Sequence, residues 1–176
     1  AGFYPRAGYR LAGGRAIRFP VTDVRVFKGR NSTGVRGIRL GDDDAVIGLS
    51  IVNHSEFAPA ERAAYIRRRR LEAADADLPA ENGDDEDTDE TVDLSDERFV
   101  AMAAADQQIL TVTAKGFGKR TSIHEYSVQG RGGQGVVNIH LGREPENAVV
   151  SAFPVAETTQ LVMMSDAGQL IRTGVD

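Results

Sequence analysis

Gln129-Gly-Arg-Gly-Gly-Gln-Gly135 sets a single guanidinium, that of Arg131, among Gly130, Gly132, Gly133 and Gly135, with the carboxamides of Gln129 and Gln134 on either side. Glycines let a backbone approach a partner closely, and an arginine beside them can meet a phosphate through two parallel N–H bonds. A Gly-rich loop that merely joins two strands would carry the same residues. The stretch is not a nucleotide P-loop, because Gln134-Gly-Val136 stands where that motif needs Lys followed by Ser or Thr. One Arg-Gly-Gly also falls short of the repeated kind that binds RNA.

Other chemistry is thin. His54, His124 and His140 are scattered without carboxylates at ligand spacing, so no metal site is expected. No catalytic constellation is visible. Cysteine is absent, which removes disulfides and thiolate ligands.

The elements that must position Arg131 are repeated. Gly14-Arg-Ala-Ile-Arg18 recurs as Gly116-Phe-Gly-Lys-Arg120 and as Gly168-Gln-Leu-Ile-Arg172. Arg30-Asn-Ser-Thr-Gly34-Val-Arg-Gly-Ile-Arg-Leu40 matches Arg131-Gly-Gly-Gln-Gly135-Val-Val-Asn-Ile-His-Leu141 in polarity and spacing. Each ends in a loose apolar alternation, Val35, Ile38 and Leu40 or Val137, Ile139 and Leu141, that reads as a strand. Turns then lead into β-branched runs, Ala45–Val52 and Ala148–Val155, and on to Ile109–Thr113 and Leu161–Met164. Short strands punctuated by Gly, Asp and Asn predict an all-β, propeller-like array of four-stranded antiparallel blades. The repeat predicts that residues 14–52 and 99–173 form adjoining blades of similar fold, with 1–52 a partial blade and 99–176 further blade strands and the start of the next.

An insertion separates the copies, because Ala45 to Arg120 takes 75 residues where Ala148 to Arg172 takes 24. It falls over residues 53–98. Pro59 to Ala74 is its helix, with proline at a first helical position and Arg, Ala and Leu after it. Between Asp75 and Glu97 lie twelve carboxylates and no Lys or Arg, a composition that predicts disorder. Without those twelve the net charge of −5 would become +7, so an acidic run masks a basic remainder. The run either competes with nucleic acid for the basic surface or is a tolerated surface loop without a role. The Arg67–Arg70 run points all round a helix, and the acidic run is as good a partner for it as DNA. No segment has the length of apolar sequence a membrane span needs, and a soluble, cytoplasmic protein is expected.

The basic remainder is organised by the repeat. Arg18, Arg30, Arg36, Arg39, Lys119, Arg120, Arg131 and Arg172 all lie in repeated segments, which raises the expectation of a shared surface that binds duplex DNA through phosphate, without reading bases. Arg36 and Arg39 cannot share a face of one strand, so at most one of them is well aimed there.

Gln129-Gly-Arg-Gly-Gly-Gln-Gly135 resembles the Gln-Arg-Arg-Gly-Gly-Lys-Gly box of the C-terminal domains of DNA gyrase A subunits, agreeing at five of seven positions. Phe117–Tyr126, Asn31–Leu40 and Met163–Thr173 are similar to that family's blade sequences. Gly130 and Gln134 replace the Arg and Lys of the full box, as in a degenerate copy on a later blade. The resemblance implies a fragment of a β-pinwheel whose basic rim wraps duplex DNA with fixed handedness. It implies membership of an ATP-hydrolysing type IIA topoisomerase that introduces negative supercoils, in which this segment is not catalytic. Tyr4, Tyr9, Tyr65 and Tyr126 match no DNA-cleaving tyrosine segment. It also implies no cofactor in this segment, ATP and Mg in the holoenzyme, and a heterotetramer of two A and two B subunits in the bacterial cytoplasm. The corresponding domain of topoisomerase IV and a propeller-type protein-interaction scaffold are the rival readings. The retained Gln-x-Arg-Gly-Gly-x-Gly favours gyrase over the first, and salt-dependent duplex binding separates the second.

Overall fold

The computed structural model describes residues 14–42, 44–75, 93–141 and 147–175. Among them, in chain order, are β1 (Arg15–Ala16), α1 (Pro59–Asp75), α2 (Asp96–Ala105), β2 (Gln108–Thr113), β3 (Gly118–Ser122), β4 (Val136–Val137), β5 (Val149–Val155), β6 (Gln160–Met164) and β7 (Leu170–Gly174). Single 3-10 turns occupy Val21–Asp23 and Ile123–Glu125. All the strand pairs are antiparallel and form three sheets, β1-β4, β3-β2-β5 and β6-β7.

The repeated Gly-x-x-x-Arg is a hairpin in two of its three copies. Gly116 (φ 83°) and Gly168 (φ 80°) turn the chain between β2 and β3 and between β6 and β7, and Arg120 and Arg172 fall on the returning strands. Gly14 serves a different need. A Cβ there would stand 2.5 Å from Cγ2 of Val149, so the first copy is glycine because another strand packs on it.

The class is all-β and propeller-like, and among the described residues the 14–52 and 99–173 segments do not match strand for strand. The described sheets hold three strands at most. Residues 35–40 form no strand, because their backbone bonds go to the glycine-rich loop at scattered points instead of to a ladder. Residues 45–52 also form none, and Leu49 and Ile51 stand 85% and 86% exposed. Gly48 lies beside β5, where an added Cβ would sit 3.6 Å from the carbonyl oxygen of Ala152, so this run follows the outer edge of the three-stranded sheet without pairing to it. Of Val137, Ile139 and Leu141, only Val137 lies in a strand.

The helices complete the core. Pro59 occupies the first helical position of α1, and Glu61 reaches back so that its Oε2 accepts from the Ala58 N–H at 2.8 Å, the reciprocal half of a capping box. Ser95 caps α2 by accepting from the Arg98 N–H at 3.3 Å, with Asp96 and Glu97 in the first turn at the positive end of the helix. The expected disorder therefore does not extend to Glu97. Its last two carboxylates are helical, and the stretch assigned to blade strands from residue 99 begins as α2. Residues 76–92, where most of the run lies, are outside the described residues.

The two helices are clamped by Glu61, which accepts from Nε and Nη2 of Arg98 at 2.6 and 3.1 Å. Arg68 bridges Glu72 and Asp96 at 3.2 and 2.8 Å and lies 4.1 Å from the Phe99 ring centroid. The helices meet the sheet at His124, whose ring stands edge-on to Tyr65 (5.0 Å) and Phe57 (5.4 Å). Tyr65 and Met102 are the largest apolar residues withdrawn fully from water, each worth about 2 kcal/mol of burial. Asp106, at the junction of α2 and β2, accepts from Tyr65 (3.2 Å), Arg69 (3.0 Å), Gln108 (2.8 Å) and Ser122 (2.7 Å). That carboxylate fixes the helix pair to the sheet.

Candidate nucleic-acid interface

The glycine-rich loop is bound on both sides by residues 14–39. Before it, the Gln129 N–H donates to the carbonyl of Arg18 (2.8 Å); after it, the Asn138 N–H donates to the carbonyl of Gly14 (2.8 Å), with β1 and β4 paired between. At its centre the Gly132 N–H donates to Gly37 (2.7 Å), and the Arg39 N–H donates to Gly133 (2.8 Å). Gly135 adopts φ 69°, and a Cβ there would stand 2.3 Å from the Ala16 carbonyl oxygen. Only glycine lets β1 approach so closely. Its repeat partner Gly34 has the same left-handed turn at φ 78° but borders open space, so the conformation is shared and the packing is not.

The cations divide into two groups. Arg131 donates from Nε to the Asp23 carbonyl (3.1 Å) and from Nη1 to the Arg36 carbonyl (2.6 Å). Its guanidinium is therefore engaged by two backbone carbonyls; the glycines let the loop close on residues 23–39, and the arginine holds it there. Arg18 is half-buried and donates to Ile123 (3.2 Å) and Tyr126 (3.4 Å). Desolvation, and then the neighbouring charge of Arg62, pull its pKa below the usual arginine value. Arg120 donates to the Val175 carbonyl (2.7 Å), tying β3 to the end of β7. Arg172 donates from Nε to Gln160 Oε1 across the β6-β7 pair (2.6 Å), and from Nη2 to the same atom. Arg131, Arg18 and Arg120 are held by backbone carbonyls within their reach, and Arg172 by the carboxamide of Gln160.

Arg30, Arg36 and Arg39 make up the second group. All three are exposed, and their guanidinium groups have no partner among the described residues. They are presented by a segment that the glycine-rich loop holds by its backbone. Lys119 is half-buried on β3. Sequence reasoning missed the polar chain beneath the loop, in which Tyr126 OH donates to Asn138 Oδ1 and Asn138 Nδ2 donates to Thr111 Oγ1 (2.8 Å). It also missed Arg25, stacked 5.4 Å from the Phe27 ring centroid beside this segment. No periodic signal marks either.

A glycine-rich loop that holds a basic segment on small antiparallel sheets defines a propeller-type module. The family described as DNA gyrase C-terminal domain, beta-propeller matches residues 12–53, 107–156 and 159–176, and the chain belongs to that family. It is 46% identical over 173 residues to the DNA gyrase A protein of Granulibacter bethesdensis, covering 93% of this chain and 18% of that protein. It is 39% identical over 163 residues to the gyrase A protein of Rickettsia bellii, covering 90% and 17%, and 33% identical over 164 residues to that of Haemophilus influenzae, covering 92% and 16%. The chain thus spans less than a fifth of the length of these relatives. The family match passes over the segment between residues 53 and 107, whereas the 93% alignment takes in much of it. Among the described residues no helix is long and apolar enough to cross a membrane.

Proposed function

We propose that this chain is the duplex-DNA-binding and DNA-wrapping part of a gyrase A protein, itself non-catalytic. The observation that carries the reading is the family match over three separate segments, which contain every proposed DNA-contacting residue. Arg30, Arg36 and Arg39 are the principal phosphate contacts, Lys119 on β3 is a further one, and Arg131 acts by holding the segment of the three arginines in place. Phosphate contact by exposed arginines requires no base readout, so binding is indifferent to sequence and strongly salt-dependent. The wrapped duplex would be delivered to the strand-passing part of the type IIA enzyme, which works in the cytoplasm with a B subunit and with ATP and Mg. The acidic run between α1 and α2 would compete diffusely with DNA for the same arginines, an effect screened over roughly 10 Å at about 0.1 M salt.

The test is affinity for a mixed-sequence duplex against salt, with the intact gyrase A protein. Replacing Arg30, Arg36 and Arg39 together by Ser should lower affinity for every sequence and reduce the slope of log affinity against log salt by about three. An unchanged slope removes these residues from the interface. Deleting residues 76–92 should tighten binding at low salt only; equal affinity at every salt concentration rejects the competitor.

A further inference from the structure

Between the start of α1, the residues leading into it and the segments around Arg18 and Val128 lies a hollow of about 460 Å³, lined by Arg18, His54, Glu56, Pro59, Arg62 and Val128 among others. This volume suits a small molecule. Two guanidinium groups share it. Nη1 of Arg18 and Nη1 of Arg62 donate to the same carbonyl oxygen, that of Tyr126, at 3.4 and 3.3 Å. Both arginines are half-buried, and among the described residues neither forms an ion pair.

Glu56 also lines the hollow, but no nearby carboxylate pairs with either arginine among the described residues. Glu56 is 92% exposed and faces His54 at 3.8 Å, while Glu61 is engaged by Arg98 and the Ala58 N–H. Bringing two like charges together away from water is unfavourable, and desolvation pulls both guanidinium pKa values down. Arg62 makes only its long bond to Tyr126, and its buried Nε has no acceptor. Pro59 places the first turn of the 17-residue α1 at the same hollow, adding the positive end of a helix to the two cations.

We propose that this hollow is a binding site for a phosphate group, with Arg18 and Arg62 as the two cations that grip it. The inference does not depend on the DNA-wrapping reading, because none of the exposed arginines of residues 30–39 lines the hollow. The phosphate could belong to a soluble compound or to a DNA backbone, and the chemistry of the site is common to both.

Titrating pyrophosphate into the intact gyrase A protein by calorimetry should give one site per chain, unaffected by chloride at matched ionic strength. Arg62→Gln should weaken binding about tenfold or more, and Arg62→Lys less. Val128→Glu tests the site without touching either arginine: Val128 is 44% exposed, and a carboxylate at the mouth of the hollow should repel the anion. Its melting temperature checks that the fold survives. Displacement of pyrophosphate by a short duplex would identify the occupant as backbone phosphate; simultaneous binding would identify a soluble phosphate compound, and either result supports the site. No binding to the unaltered protein, equal competition by chloride, or unchanged affinity in both Arg62→Gln and Val128→Glu would overturn it.

Discussion

Arg131 donates to the carbonyl oxygen of Arg36 at 2.6 Å, so the arginine at the centre of the glycine-rich loop grips the segment that carries the exposed ones. A second bond, to Asp23 at 3.1 Å, makes the grip span the whole segment. Arg131→Ala should therefore lower stability by about 1–2 kcal/mol and speed tryptic cleavage at Arg25, Lys28 and Arg30. Unchanged melting and unchanged cleavage would leave Arg131 without this role.

Gly135→Ala is the harsher change. The added Cβ meets the Ala16 carbonyl oxygen at 2.3 Å and must adopt φ 69°, so β1 has to withdraw from β4. The expected loss is roughly 2 kcal/mol or more, measured by urea unfolding. Gly34→Ala has a similar left-handed φ but open space around it, and should cost about 1 kcal/mol, from conformation alone. Equal losses at the two sites would contradict the packing role assigned to Gly135.

His124 gives the fold a dependence on pH. Its Nε2 lies 3.1 Å from the Met102 carbonyl, which can only accept, so Nε2 carries the proton and the buried Nδ1 is bare. Burial is the largest influence and lowers its pKa; the Met102 carbonyl and Asp106 oppose, and Arg18 and Arg62 reinforce. A base whose folded pKa lies below its unfolded value favours folding when neutral. Its contribution is fully present above the unfolded value of about 6.5 and is lost as pH falls through the folded one. Stability should fall between pH 7 and 5, and His124→Phe should flatten that fall. A slope unchanged in the variant would assign the effect elsewhere.

The sequence carried the hairpins well, because Gly116 and Gly168 must turn and the strands beside them alternate or are β-branched. The Pro59 start of α1 was equally legible from local chemistry. What hid α2 was a conflict of signals: Ser95-Asp-Glu97 is a helix start followed by alanines, but the repeat placed strands there. Residues 45–52 read as a buried strand from composition, yet whether such a run pairs depends on a neighbouring edge that composition does not reveal. Which arginines hold carbonyls was hidden for a related reason. Arg18 and Arg131 are indistinguishable in sequence from Arg30 and Arg39, and only the carbonyls brought near them decide which anchor and which remain exposed.

Chiral wrapping is the central claim, and DNA topology reads it directly. The intact gyrase A protein is bound to a nicked circle, the nick is sealed by ligase, the protein is removed and the linking number is measured. Wrapping by the exposed arginines predicts a shift of a single sign that grows with bound protein, shrinks as salt rises, and is lost when Arg30, Arg36 and Arg39 are replaced together. Saturating binding with no shift in linking number would contradict it.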